Sequence, residues 1–178
     1  MQRLASIKEF TALAEQLQRA RDPSIPVIVI SAGTCGQASG ANDLIRVAKR
    51  EILSRGLSER VHLRVTGCQG YCQMEPSVLV EPARTFYPKV GMEKMAEIVD
   101  AVARGDVLEP LLPVDPRTGK VIARQDDLPF FRKQTRTILA RGEKVDPIRI
   151  TSAIENGGYA GLARALEQGD REWVLAEV

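Results

Sequence analysis

The run Pro26-Val27-Ile28-Val29-Ile30 constrains this chain more than any other. Four successive β-branched apolar residues leave no side of a strand for water, so the run reads as a central strand buried on both faces. A sheet that must be covered on both sides requires a layered arrangement with helices. The flanking text supplies the helices. Residues 6–21 put Ile7, Phe10, Leu13, Ala14 and Leu17 at helical spacing, and Ser6 with Glu9 forms a capping-box pattern. Pro23 and Pro26 stop that helix. After a loop at 31–41, Asn42 to Leu57 sets Leu44, Ile45, Val47, Ala48, Ile52 and Leu53 on one face, with Gly56 as its stop.

Val61-His62-Leu63-Arg64-Val65 alternates apolar and polar and reads as a half-exposed strand. Two more strands are expected at Ser77–Glu81 and Thr85–Tyr87, then a helix from Met92 to Arg104 with Gly105 behind it. The order helix, β, α, β, β, β, α is that of an α/β thioredoxin-like sandwich, a small mixed sheet with flanking helices. This domain is expected to occupy 1–106. The turn-rich stretch around Leu111-Leu112-Pro113-Val114-Asp115-Pro116 makes 107–125 a linker. Residues 126–178 form a C-terminal helical segment, with helices expected at Leu128–Leu139, Asp146–Glu155, Tyr159–Glu167 and Arg171–Glu177. Asp146-Pro147 reads as a cap and first-turn pair. These helices are amphipathic but short, so they read as a docking segment that gains stability by packing against something else.

All three cysteines lie in glycine-containing loops that follow strands: Cys35 in Ser31-Ala32-Gly33-Thr34-Cys35-Gly36, and Cys68 with Cys72 in Thr66-Gly67-Cys68-Gln69-Gly70-Tyr71-Cys72. Thiolates are soft ligands that select iron–sulfur clusters or zinc. Glycines let a backbone curl around a bulky inorganic core and aim N–H groups at its sulfurs. An all-cysteine [2Fe–2S] cluster takes four thiolates and this chain has three, so the fourth ligand is unassigned; Ser31 and Ser39 each lie four residues from Cys35. Structural zinc would need four closing ligands, and His62 falls mid-strand in the wrong register. No Cys-x-x-Cys is present for dithiol exchange. Tyr71, between two of the cysteines, is placed either to shield a cluster from water or simply to pack in its loop. Glu75-Pro76 shapes the turn into the third strand.

A net charge of +2 is too weak to indicate nucleic-acid binding, and one histidine with 4% aromatics leaves little for base stacking or histidine catalysis. No apolar run approaches the roughly 18 residues of a membrane span. An odd cysteine count without a secretory leader fits a reducing cytoplasm, which is the expected location.

The run from Ser31 to Ala41, followed by Thr66-Gly67-Cys68-x3-Cys72-x2-Glu75-Pro76, resembles the thioredoxin-like [2Fe–2S] ferredoxin domain found at the N-terminus of NADH-binding subunits of complex I-like dehydrogenases, NAD-linked hydrogenases and formate dehydrogenases. Pro129-Phe130-Phe131-Arg132-Lys133-Gln134-Thr135-Arg136, Asp146-Pro147 and Asn156-Gly157-Gly158-Tyr159-x2-Leu162-x3-Leu166 resemble the helical lead-in to that family's flavin-binding domain. The resemblance implies electron transfer through a [2Fe–2S] cluster on Cys35, Cys68 and Cys72, within an NADH:acceptor oxidoreductase complex. The flavin-bearing part or other subunits of that complex are the implied partners. A cluster-free assembly or docking domain of the same complex is the alternative. The family's first cluster loop carries two cysteines where Cys35 stands alone, and residues 126–178 correspond to a truncated start of the flavoprotein domain. No Gly-x-Gly-x-x-Gly or other phosphate cradle occurs, so no FMN or NAD site and no catalytic residue are expected here.

Overall fold

The computed structural model describes residues 3–178. In chain order the elements are α1 (Ile7–Arg19), β1 (Val27–Ser31), α2 (Thr34–Ala38), α3 (Ala41–Ser54), β2 (His62–Thr66), β3 (Val78–Glu81), β4 (Thr85–Tyr87), α4 (Met92–Arg104), α5 (Pro129–Arg132), α6 (Ile150–Glu155), α7 (Ala160–Gln168) and α8 (Arg171–Glu177), with short 3₁₀ turns between some of them. They form two compact units, one of residues 23–146 and one of 1–22 with 147–178.

The larger unit is a four-stranded sheet in the order β2-β1-β3-β4. β1 runs parallel to β2, with Ser31 beside Thr66 at their C-terminal ends, and antiparallel to β3, which pairs antiparallel with β4. This is the small mixed sheet of a thioredoxin-like sandwich. β1 is central and all five of its residues are buried. Because side chains alternate along a strand, its two apolar sets part to opposite faces. Ile28 and Ile30 join Leu44, Ala48 and Ile52 of α3 and Met95, Ile98 and Val99 of α4 in one core. Val27 and Val29 join Leu79 and Phe86 in a second core, closed by Leu128 and Phe131.

That second cover is where the structure differs most from the sequence reading. Residues 107–146 belong with the sheet rather than forming a linker and a detached arm. Phe86 N–H donates to the Ala123 carbonyl and Gln125 N–H to that of Arg84, at 2.9 Å each, so this stretch runs along the β4 edge. The helix expected over Leu128–Leu139 stops after one turn, at Arg132. Phe131 turns into the sheet there and is only 9% exposed. Continuing the helix would carry Arg136 and Leu139 away from the contacts they make below. α2 also forms inside what reads as loop at 31–41. α3, β2, β3, β4 and α4 lie within a residue or a few of their expected bounds.

In the smaller unit α1 packs against α6 and α7. Ser6 caps α1 by accepting from Glu9 N–H, while the Glu9 carboxylate accepts from Ala5 N–H at 2.8 Å, one residue earlier than the capping-box pattern implies. The helix expected from Asp146 begins later, at Ile150. The apolar stripe of α1 faces Ile150, Ile154, Leu162 and Leu166 across a cavity of about 440 Å³, and Gln18 donates to the Glu155 carbonyl at 3.2 Å. α1 thus covers helices of its own unit.

Candidate metal centre

Parallel pairing of β1 and β2 decides where the cysteines go. Two parallel neighbours end on the same side, so the loop after Ser31 and the loop after Thr66 leave the sheet together. The Ala32 N–H donates to the Thr66 carbonyl at 2.8 Å, and the buried Ser31 hydroxyl donates to the Gly67 carbonyl at 3.3 Å. Gly33 is pressed against Cys68: a Cβ at Gly33 would stand 2.8 Å from Cys68 Cβ and 3.0 Å from its nitrogen. Only glycine permits that approach. The turn that carries Cys35 is therefore built onto the backbone of Cys68.

Cys68 and Cys72 hold their sulfurs 3.7 Å apart. Two thiolates bound tetrahedrally at about 2.3 Å from one metal stand about 3.8 Å apart, so the pair already has the edge length of a metal-thiolate tetrahedron. Gly70, at φ +88°, turns the loop so that its N–H donates to Cys68 Sγ at 3.2 Å. Burial pushes the Cys68 thiol above its ordinary 9.0; the Gly70 N–H acts against that shift, and the neighbouring Cys72 thiol adds to it. Cys35 and Cys72 are exposed and Cys68 is half-buried. Among the described residues, no three His, Cys, Asp or Glu side chains converge as ligands of a single ion. The thiols divide instead into a pair, Cys68 with Cys72, and the single Cys35. The Thr66 hydroxyl at the base of the loop is buried and has no hydrogen-bond partner among the described residues.

The turn after the loop forms as its residue types imply: the Glu75 carboxylate accepts from Ser77 N–H at 2.9 Å and from its hydroxyl at 3.2 Å. His62 is exposed at the start of β2. Ser39, unlike Ser31, is exposed, at the end of α2.

No family model matches the chain. A Clostridium pasteurianum protein named ferredoxin, 2Fe-2S, is 33% identical over 70 residues, which span 39% of this chain and 69% of that protein. The chain belongs to the [2Fe–2S] ferredoxin family. Among solved structures, two of the thioredoxin-like [2Fe–2S] ferredoxin from Aquifex aeolicus align with TM-scores of 0.47. The first is 20% identical and covers 52% of this chain and 99% of the other; the second is 19% identical and covers 56% and 99%. The ferredoxin-like part is an electron-transfer domain, and it accounts for only part of the chain. None of the helices over the described residues is long and apolar enough to cross a membrane.

Reading the sequence along the chain finds the three cysteines of this ferredoxin domain but misses the residues around them. The Gln125 side-chain amide donates to the side-chain oxygen of the buried Gln69 at 2.6 Å, and Arg136 donates to the Gln69 carbonyl. Arg84, at φ 62° in the turn between β3 and β4, ion-pairs with Glu143 at 2.7 Å and Asp126 at 2.9 Å. These partners are separated by 42 to 67 residues, and no periodicity or motif links them.

Proposed function

We propose that the chain is an electron-transfer module of an NADH:acceptor oxidoreductase complex, with a [2Fe–2S] cluster held by Cys35, Cys68 and Cys72. The observation that carries this reading is the 3.7 Å spacing of Cys68 and Cys72 in a loop built against the turn of Cys35. A binuclear cluster divides its protein ligands between two irons, which suits one close pair and one thiol apart. When bound, such a cluster supplies a one-electron carrier. The chain's own residues set the surroundings of that carrier. The Gly70 N–H withdraws charge from the Cys68 sulfur, and the half-buried position of Cys68 lowers the local dielectric. The exposed Cys35 and Cys72 put the site at the surface, where a redox partner can approach.

The NADH-linked setting rests on the resemblance of Pro129–Arg136, Asp146-Pro147 and Asn156–Leu166 to a flavoprotein lead-in. The flavin-bearing part of the complex is the proposed partner, and this chain supplies no flavin or NADH chemistry of its own. The test is an absorption spectrum of anaerobically purified protein with iron and sulfide analysis. Brown protein with about two irons and two sulfides per chain is the expected result. Protein that remains colourless after reconstitution refutes the cluster and leaves a docking domain.

A further inference from the structure

Only Gln69, Gly70 and Tyr71 separate Cys68 from Cys72, and residues 125–142 of the same compact unit hold all three. Gln69 is gripped at both ends, its side chain by Gln125 and its carbonyl by Arg136. Gly70 lies against Arg136 and Leu139, each 3.6 Å from where its Cβ would be. The Tyr71 ring stacks on Phe130 with centroids 4.0 Å apart and planes 5° from parallel. Cys68 is reached as well, since a Cβ at Gly142 would lie 3.5 Å from the Cys68 carbonyl. Arg136 is itself fixed, 5.2 Å over the Phe131 ring and 3.9 Å from the Glu143 carboxylate.

Leu128 and Phe131 cover the sheet, while Gln125, Phe130 and Arg136 also reach the cysteine loop. With Gly67 before Cys68 and Gly70 between the two cysteines, the loop has many conformations open to it in which the sulfurs diverge. Besides the Gly70 N–H on Cys68 Sγ and the sulfur–sulfur contact itself, the contacts that narrow this freedom come from residues 125–142. We propose that residues 125–142 are a clamp that presets the Cys68–Cys72 spacing before metal arrives, with Arg136 as its positioning residue. The inference deepens the cluster reading and rests on it for the identity of the ligand. The guanidinium also places a positive charge beside the loop, which favours the more negative, reduced state of whatever the thiolates hold.

The test uses full-length Arg136→Gln and Arg136→Lys chains. In metal-free protein, hydrogen exchange of the Gly70 amide, which donates to Cys68 Sγ, should accelerate at least several-fold in R136Q while the β1 and β3 amides stay protected. After reconstitution, chelator-driven iron release from R136Q should be faster than from wild type, by up to about the 10- to 100-fold in affinity that loss of a residue bonded to a ligand itself costs, since Arg136 acts one bond further out through Gln69. Its reduction potential should fall, and R136K should recover the potential because it keeps the charge. Unchanged loop exchange in folded R136Q overturns the clamp. If R136Q does not fold, Phe130→Leu loosens the grip at Tyr71 and should give the same loop-specific acceleration; unchanged exchange there overturns it equally. Should wild-type chain bind no iron, the cluster reading fails by itself, while metal-free exchange still decides whether the clamp exists.

Discussion

Replacing Gly33 by alanine tests whether the turn of Cys35 is built onto Cys68. The backbone at Gly33 (φ −63°, ψ 176°) is open to any residue, so the substitution carries no conformational strain. It carries a steric one: the new methyl would meet Cys68 Cβ at 2.8 Å, its nitrogen at 3.0 Å and its Cα at 3.1 Å. Two of these atoms are backbone, which cannot swing aside, so the two loops must part. Overpacking of this kind costs about 1–3 kcal/mol. Glycine-to-alanine replacement also stiffens the unfolded chain, a gain of about 0.4–1 kcal/mol that clouds any single measurement. Gly67 removes that ambiguity. It lies in the neighbouring loop, outside the left-handed region, with nothing among the described residues within 4 Å of its would-be Cβ. The unfolded-state gain is common to both variants and cancels between them, leaving the steric cost alone. Gly33→Ala should therefore be less stable than Gly67→Ala by about 1–3 kcal/mol, or roughly 2–12 °C in midpoint for a chain of this size. Calorimetry of both variants, followed by iron analysis after reconstitution, reads the effect. Equal midpoints and equal iron content would show that the two loops are not in contact.

Three further outcomes follow from the same structure. Phe131→Ala empties the cover of the second sheet face and should cost about 3–5 kcal/mol by denaturant melt; a loss under about 1 kcal/mol would mean that residues 126–146 do not seal that face. Asp126 is held below its ordinary 3.8 first by its hydrogen bonds from Arg84 and then by the charges of Arg84 and Arg124. Its contribution is present above the unfolded value and lost as pH falls through the lower folded one, so Asp126→Asn should flatten the decline in stability below about pH 4. The carboxylate is 48% exposed, which limits the effect to under about 1 kcal/mol, and an acid limb identical to wild type counts against the pairing. Ser31→Cys should raise iron content after reconstitution, because the Ser31 hydroxyl already points at the Gly67 carbonyl 3.3 Å away, whereas Ser39→Cys at an exposed helix end should not. The reverse ranking would move the fourth ligand position to the far side of Cys35.

What the sequence determined by itself was local. The run Val27–Ile30 could only be a buried strand, because four β-branched apolar side chains leave no face for water. Met92–Arg104 was bounded by its own periodicity and by Gly105. The three thiols were legible as soft ligands in glycine turns, whatever the fold. Tertiary structure decided the rest. Leu128–Leu139 read as one helix, yet the helix ends within a turn because burial of Phe131 in the sheet outweighs the weak propensity of a short, isolated helix. α1 had an apolar stripe suited to any apolar surface, and only packing brought α6 and α7, from more than a hundred residues later, against it. The grip on Gln69, Gly70 and Tyr71 joins residues more than fifty positions apart in the chain. Such pairings leave no periodic trace, since a hydrogen bond or a ring stack requires proximity in space and nothing of sequence spacing.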